Sequence, residues 1–339
     1  MKQLEAFTLG KKFGHPETNE DSFVIIADAG YAVIDGVTDR NGTQYGGMLS
    51  GRFASRTVKR ATEQFIIAQS DPHAPAHLRY TGPKSFVEHL TASLRQGYID
   101  ENALEAAEAD WKIRGGCTVM AAFVVDGRLE VVAVGDSGIR INGDDVLQVL
   151  KPLDDVTGIL RREAWQYFAA LGHDADFCDA QAAAVTWPGT RKPVAGTPTA
   201  DPVVTAEIEA RALAACKAHL PNVPEVEILE LIQHGIAHGQ GNFQNATERA
   251  LGYGCLDGFP VPEKYIDSRS YDLATITSIE LFSDGYFKIA EDFGVAAWEA
   301  GFEEVERVDP HKIGAYLSTK GTTETALTDD RTYVGIQLR

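Results

Sequence analysis

Several acidic residues of this chain stand where apolar runs stop or start. Tyr31-Ala32-Val33-Ile34 runs straight into Asp35-Gly36, Leu129 to Val134 is followed by Asp136, and Ala274 to Phe282 meets Ser283-Asp284-Gly285. Thr328-Asp329-Asp330-Arg331 opens the closing apolar run, and Glu20-Asp21 precedes Phe23-Val24-Ile25-Ile26. The Asp28-Ala29-Gly30 turn folds 23–26 back on 31–34 as an antiparallel hairpin, which sets Glu20 and Asp21 opposite Asp35 and Gly36. Three carboxylates at one end of one hairpin repel each other unless positive charge lies among them, and a divalent cation supplies it. One Asp at a strand end is ordinarily a turn residue or a helix cap. Four strands that each meet a carboxylate form a pattern that turn chemistry does not require.

The elements that must position these residues follow from periodicity. Leu4 to Leu9 reads as the first strand. Gly47 to Ala68 is helical, with Leu49, Phe53, Val58 and Phe65 on one side, and Ser85 to Ala109 reads as a second long helix. Cys117 to Val125 and Leu129 to Val134 form a second hairpin about Asp126-Gly127, followed by a short strand from Val146 to Leu150. Between about Asp154 and Asn245 the chain turns alanine-rich and helical in patches, broken by the Pro- and Gly-containing loop Trp187 to Pro202. That segment reads as a subdomain, 154–245, inserted into a single domain spanning 1–339. Helices are expected over Val295 to Val308 and Pro310 to Thr319, and a last strand over Thr332 to Leu338. Strands alternating with paired helices, without a βαβ rhythm, favour an α+β fold of antiparallel sheets covered by helices.

Composition narrows the function. With 339 residues the chain buries a large core, and its formal net charge of -18 argues against a nucleic-acid partner, whose phosphates need a basic surface. No apolar run approaches the roughly 20 residues of a membrane span, and the first residues do not read as a secretory signal, so the cytoplasm is the expected compartment. The four cysteines, Cys117, Cys178, Cys216 and Cys255, are too scattered for a zinc knuckle or a disulfide scaffold and read as reduced structural thiols. His234 and His238 have helical metal-ligand spacing without a Glu in register and read as a helix face. Asp39-Arg40-Asn41-Gly42 imitates part of a calcium loop but lacks its closing Glu and reads as a turn.

Taken in order, the motifs resemble those of the metal-dependent (PPM, or type 2C) serine/threonine phosphatases. They are Asn19-Glu20-Asp21-Ser22-Phe23, Ala32-Val33-Ile34-Asp35-Gly36, Gly116-Cys117-Thr118, Val134-Gly135-Asp136-Ser137, Arg249-Ala250-Leu251-Gly252, Phe282-Ser283-Asp284-Gly285 and Thr328-Asp329-Asp330-Arg331-Thr332. The resemblance implies two packed antiparallel sheets flanked by helices, an α-β-β-α sandwich, with the inserted segment as a flap. It implies that Asp35 bridges two Mn²⁺ or Mg²⁺ ions, that Asp284 and Asp329 complete one site, and that Glu20 with the Gly36 carbonyl serves the other. Asp21 would orient metal-bound water, and Asp136 would hold a weaker third ion. All-oxygen ligands suit hard cations of this kind, which can acidify an attacking water and neutralise charge on a phosphoryl group.

Three positions depart from the pattern. Pro16 stands where many members place a phosphate-gripping Arg, Val37 where some carry a His, and Lys288 where a further third-metal Asp often follows. Lys12 and His15, in the loop before Glu20, and Arg161 and Arg162, in the insert, are the cations expected to hold the substrate phosphate instead. The implied activity is hydrolysis of phosphoserine or phosphothreonine in proteins by a monomeric enzyme. A phosphatase for a small phosphorylated metabolite is the alternative, and a silent phosphoprotein-binding pseudophosphatase a third reading.

Overall fold

The computed structural model of the chain describes residues 1–39 and 41–339. Arg40 of the 39–42 loop and the side chain of His238 lie outside the described residues. The chain divides into two compact units: Met1–Leu150 with Gly254–Phe302 and Asp329–Arg339, and Lys151–Tyr253 with Glu303–Thr328.

The first unit contains two five-stranded antiparallel sheets. One has the order β1 (Gln3–Leu9), β12 (Arg331–Gln337), β11 (Ser278–Phe282), β8 (Gly138–Ile141), β9 (Asp145–Leu147). The other runs β10 (Asp267–Asp272), β7 (Arg128–Val134), β6 (Val119–Val125), β3 (Gly30–Ile34), β2 (Ser22–Ile26). Gln44–Tyr45 (β4) and Met48–Leu49 (β5) make a minor hairpin. Alternation sends Tyr31, Val33, Met120, Ala122, Val131 and Ala133 of one sheet against Ile139, Ile141, Ile279, Leu281, Val334 and Ile336 of the other. The opposite face of the β3–β6–β7 sheet, with Ala32, Ile34, Ala121, Phe123 and Val132, packs under α1 (Ser50–Ser70) and α2 (Pro83–Asp100). Phe53, Val58 and Phe65 form the buried stripe of α1, and Phe65 meets Phe86 of α2 edge-on at 5.1 Å between ring centroids. The expected layers of helix, sheet, sheet and helix are therefore present.

The outer face of the β11–β12 sheet is covered by the first part of α8 (Val295–Val308) through a polar knot. Trp298 packs on Phe282 at 4.5 Å and donates its indole N–H to Glu280. Across the β8–β11 ladder, Arg140 makes two hydrogen bonds to the same carboxylate, at 2.6 and 2.8 Å, and the Tyr333 hydroxyl donates a further one at 2.9 Å. Both oxygens of the buried carboxylate are thus given donors.

The second unit is helical. Val156, Leu160, Ala164 and Phe168 recur every fourth residue along α4 (Pro152–Ala170) and are buried, as are Ile208, Ala212 and Cys216 of α6 (Pro202–His219). Helices α5 (Ala175–Thr186) and α7 (Glu225–Gly239) complete its core with Val185, Ile228 and Leu231. Segment 154–245 falls inside this unit, which also takes in 303–328. Among the described residues no helix is long and apolar enough to cross a membrane.

Two expectations are corrected, and one polar strand is an addition to the sequence reading. The long helix over 85–109 breaks at Asn102, whose φ of 55° ends α2 before α3 (Leu104–Ala109) starts. The segment 310–319 is not helical, because Asp309 gathers the backbone N–H groups of Ile313, Gly314 and Tyr316 on its carboxylate while Lys312 turns to φ 50°. Strand β10 was not anticipated, since Asp267-Ser268-Arg269-Ser270-Tyr271-Asp272 is a polar edge strand without an apolar face.

Replacing Glu280 by Ala leaves Arg140 buried without its counter-charge, which costs about 3–5 kcal/mol in such settings. A lower urea midpoint at unchanged slope is the expected reading, and an unmoved midpoint would contradict this account of the knot.

Candidate functional site

Five chain segments of the first unit converge at one end of the two sheets. The β2–β3 register, with Ser22 opposite Ile34, continues outward to place Asp21 beside Asp35 and Glu20 beside Gly36. Past β3 the chain is held by the segment leading into β6: the Thr118 N–H donates to the Asp35 carbonyl at 2.8 Å, and the Val37 N–H to the Gly116 carbonyl at 2.9 Å. Glycine is required at 36 because a Cβ there would lie 2.6 Å from the Gly51 carbonyl oxygen and 2.8 Å from that of Glu20. On the other sheet, β11 ends at Ser283-Asp284-Gly285 beside the start of β12. There a Cβ on Gly285 would overlap the Asp330 carbonyl.

Ser283 couples the sheets. Its hydroxyl accepts from the Thr332 N–H at 2.8 Å and donates to Asp21 Oδ2 at 2.9 Å, so β11, β12 and the start of β2 are tied at one atom. Asp330 makes a second tie, its two oxygens accepting from the backbone N–H of Lys11 at 2.6 Å and of Glu20 at 3.2 Å. Into this frame reaches the Lys11 ammonium, 3.0 Å from Asp329 Oδ1, 3.2 Å from Glu20 Oε2, 3.2 Å from Asp330 Oδ2 and 2.9 Å from the Thr38 hydroxyl.

Glu20, Asp21, Asp35, Asp136, Asp284 and Asp329 are thereby brought into one electrostatic cluster. Glu20, Asp21 and Asp136 are buried, whereas Asp35, Asp284 and Asp329 keep a partly exposed edge. Burial, followed by the charges of Asp21, Asp329 and Asp136, pushes the Asp35 carboxyl well above the usual carboxylate range. Burial and then Asp35, Asp136 and Asp329 do the same to Asp284. Asp21 is pushed up to about 7, first by burial and then by Asp330, against the hydrogen bonds of Thr332 and Ser283. Burial also raises Glu20, with the Lys11 ammonium opposing it. Lys11 itself loses to burial but gains more from Asp329, Asp330 and Glu20 together, and is held charged above its ordinary value.

Oxygens without partners remain: Glu20 Oε1 and Asp21 Oδ1 are buried with no hydrogen bond. Orphaned carboxylate oxygens in an all-oxygen donor set fit a hard divalent cation such as Mg²⁺ or Mn²⁺. Among the described residues, however, no three His, Cys, Asp or Glu side chains are already drawn together with the spacing to hold a metal ion. The donor chemistry fits, and the cation already lodged among the carboxylates is Lys11.

Of the expected phosphate-binding cations, two face solvent and two are engaged within the second unit. Lys12 is exposed, and exposed His15 pairs with Glu17 at 3.0 Å. Arg161 is 2% exposed within the second unit, its guanidinium held by Asp179 and the His311 carbonyl, while Arg162 pairs with Glu163 at 2.9 Å. Two cations not singled out from the sequence lie beside the cluster. Besides Lys11, Arg52 of α1 donates to the Asn19 carbonyl, next to Glu20, at 2.7 Å. Pairing would have revealed Lys11: the β1–β12 register, Leu9 opposite Arg331, carried two residues further sets Lys11 opposite Asp329. The 39–42 loop forms the expected turn at its described positions, Asp39 accepting from the Asn41 N–H at 3.0 Å and the Ser50 hydroxyl at 2.7 Å.

Two antiparallel sheets between helices, with a carboxylate cluster at one end, define the architecture. No protein-family model matches the chain, and no curated protein does. Among solved structures it is similar to a bacterial serine phosphatase, at 13% identity over 99% of this chain and 98% of that one, TM-score 0.44. It is similar to the serine/threonine phosphatase Stp1 from Staphylococcus aureus at 13% identity over 100% and 96%, TM-score 0.43. The catalytic domain of the serine/threonine protein phosphatase PstP in complex with 2 manganese ions matches at 14% identity over 98% and 96%, TM-score 0.42. Likeness this distant lends no weight to a function, which has to rest on the carboxylates.

A carboxyl with a raised folded-state pKa keeps its proton where the unfolded chain has released it, so its contribution to stability is lost as pH rises. For Asp21 that window runs from the ordinary 3.8 to about 7. In chelator-treated protein the melting temperature is expected to fall across this window and Asp21→Asn to flatten the fall. Equal slopes for the two proteins would remove Asp21 from the cluster's titration.

Proposed function

We propose that the chain is a metal-dependent phosphomonoesterase that hydrolyses phosphoserine or phosphothreonine in proteins. The observation that carries the reading is the buried and half-buried carboxylate cluster with orphaned oxygens on Glu20 and Asp21. A binding module gains nothing from assembling charges that repel in this way, whereas metal-assisted hydrolysis needs them.

In this reading Asp35, Asp284 and Asp329 would hold one Mn²⁺ or Mg²⁺, Asp35 with Glu20 and the Gly36 carbonyl would offer ligands to a second, and Asp136 to a weaker third. Bound there, the cation supplies Lewis acidity for water and charge neutralisation for a phosphoryl group. The chain's own residues do the positioning. Ser283 fixes Asp21 by the 2.9 Å hydrogen bond and so sets the orientation of its carboxyl among the proposed ligands. Asp330 fixes the backbones of Lys11 and Glu20, so the acidic rim does not spread. A small phosphorylated metabolite is the second reading. It is favoured by Pro16, which deprives the rim of the guanidinium that would grip a phosphopeptide's phosphate.

Activity on p-nitrophenyl phosphate and on phosphopeptides is expected to need added Mn²⁺ or Mg²⁺, to vanish with EDTA, and to drop at least about 100-fold in Asp35→Asn. Turnover that survives thorough chelation, or a near-normal rate in folded Asp35→Asn, would refute the reading. Comparing the two substrate classes by kcat/KM decides between protein and metabolite.

Exposed Lys12 and His15, in the loop before Glu20, are the cations of the first unit proposed to hold the phosphate. Lys12→Ala or His15→Ala is expected to raise KM at least about threefold with the metal requirement intact, a fraction of what a charge-assisted hydrogen bond can contribute. If KM stays put in both, neither side chain holds the phosphate.

A further inference from the structure

The most unusual feature of the cluster is that it already contains a cation belonging to the chain. Lys11 follows β1 by two residues, yet its side chain is only 9% exposed and its ammonium lies within 3.2 Å of three carboxylates. With Thr38 it meets four oxygens, more than its three N–H donors can serve singly. Its backbone is pinned as well, by the 2.6 Å hydrogen bond to the Asp330 carboxylate that also receives the Glu20 N–H. A surface lysine that merely drapes over an acidic patch would have neither the burial nor the backbone anchor.

We propose that Lys11 is a built-in counter-ion occupying the Glu20–Asp329 side of the cluster, so that the chain takes up one divalent ion fewer than its carboxylates alone would bind. The inference rests on the metal-dependent reading above, and narrows it. A divalent ion on Glu20 Oε2 and Asp329 Oδ1 would compete for the two oxygens that the ammonium holds, and one on the other oxygens of these carboxylates would stand within a few ångströms of it. The two cations exclude each other. Asp35 and Asp284, neither of which the ammonium contacts in these ion pairs, remain for an exchangeable metal. The physical consequence is an acidic site partly neutralised before any metal arrives, which explains how carboxylates can be packed here in a folded metal-free chain. Glu20 Oε1, the orphaned oxygen, is where an extra ion would gain a ligand once the ammonium is gone.

The test is Mn²⁺ binding by calorimetry and by metal analysis after dialysis, for the wild-type chain, Lys11→Met and Lys11→Gln. Both variants are expected to bind one more Mn²⁺ per chain than wild type, to melt lower when metal-free, and to recover more of their melting temperature on adding Mn²⁺. Stoichiometry and affinity equal to wild type would overturn the proposal while leaving the metal-dependent reading in place. If the wild type binds no Mn²⁺ but the variants do, the metal-dependent reading falls and Lys11 stands as the resident cation. No binding by any of the three overturns both. Should the variants fail to fold, isotope-labelled lysine in the wild-type chain gives the answer by NMR. A slowly exchanging Lys11 ammonium signal that persists at saturating Mg²⁺ supports the proposal, and its loss on adding Mg²⁺ overturns it.

Discussion

Repulsion among carboxylates at the ends of paired strands is the constraint on which the rest of this structure turns. Asp35 and Asp284 are both driven well above the ordinary carboxylate range by burial and by the charges of neighbouring carboxylates, and Asp21 joins them from the neighbouring strand. Such a group is stable only when protons, a metal or a fixed ammonium offsets the charge. All three devices are available here. Protons can sit on the raised carboxyls, orphaned oxygens on Glu20 and Asp21 await a ligand, and Lys11 spans Glu20, Asp329 and Asp330.

The two sheets make that concentration of charge possible by delivering it from rigid elements. Inward-facing Ile279, Leu281, Val334 and Ile336 lock one sheet onto Val33, Met120 and Val131 of the other, so the strand ends are not free to drift apart. Ser283 then converts sheet packing into site geometry, with one hydroxyl touching both Asp21 and the β12 backbone. At the far side of the same sheet the Arg140–Glu280 pair under Trp298 shows a different solution to buried charge. There the partners match in number and every oxygen is served, and the result is scaffold instead of a reactive site.

Much of this was legible in the residues. The β2–β3 hairpin, the pairing of Glu20 and Asp21 with Asp35 and Gly36, the stripe of α1 and the span of α8 follow from period-two and helical alternation with strong turn signals. What escaped was short, nonlocal or polar, the four-residue β8 being the short case. Strand β10 has no apolar face to betray it, and the 310–319 turn is governed by one carboxylate, Asp309, folding the backbone onto itself. Of the neighbouring lysines 11 and 12, which one turns inward is decided by the β1–β12 register, a contact between the two ends of the chain. Arg161 is a phosphate candidate by its place in the insert, and its nonlocal partners, Asp179 and the His311 carbonyl, cannot be read from local sequence.

The central claim, that a divalent cation belongs among these carboxylates, is tested most directly by anomalous diffraction from crystals of the chain soaked in Mn²⁺. An anomalous peak is expected at ligand distance from the Asp35 and Asp284 carboxylates, with the Lys11 ammonium still seated between Glu20 and Asp329. No peak there at saturating Mn²⁺, or manganese bound only elsewhere on the acidic surface, would contradict it.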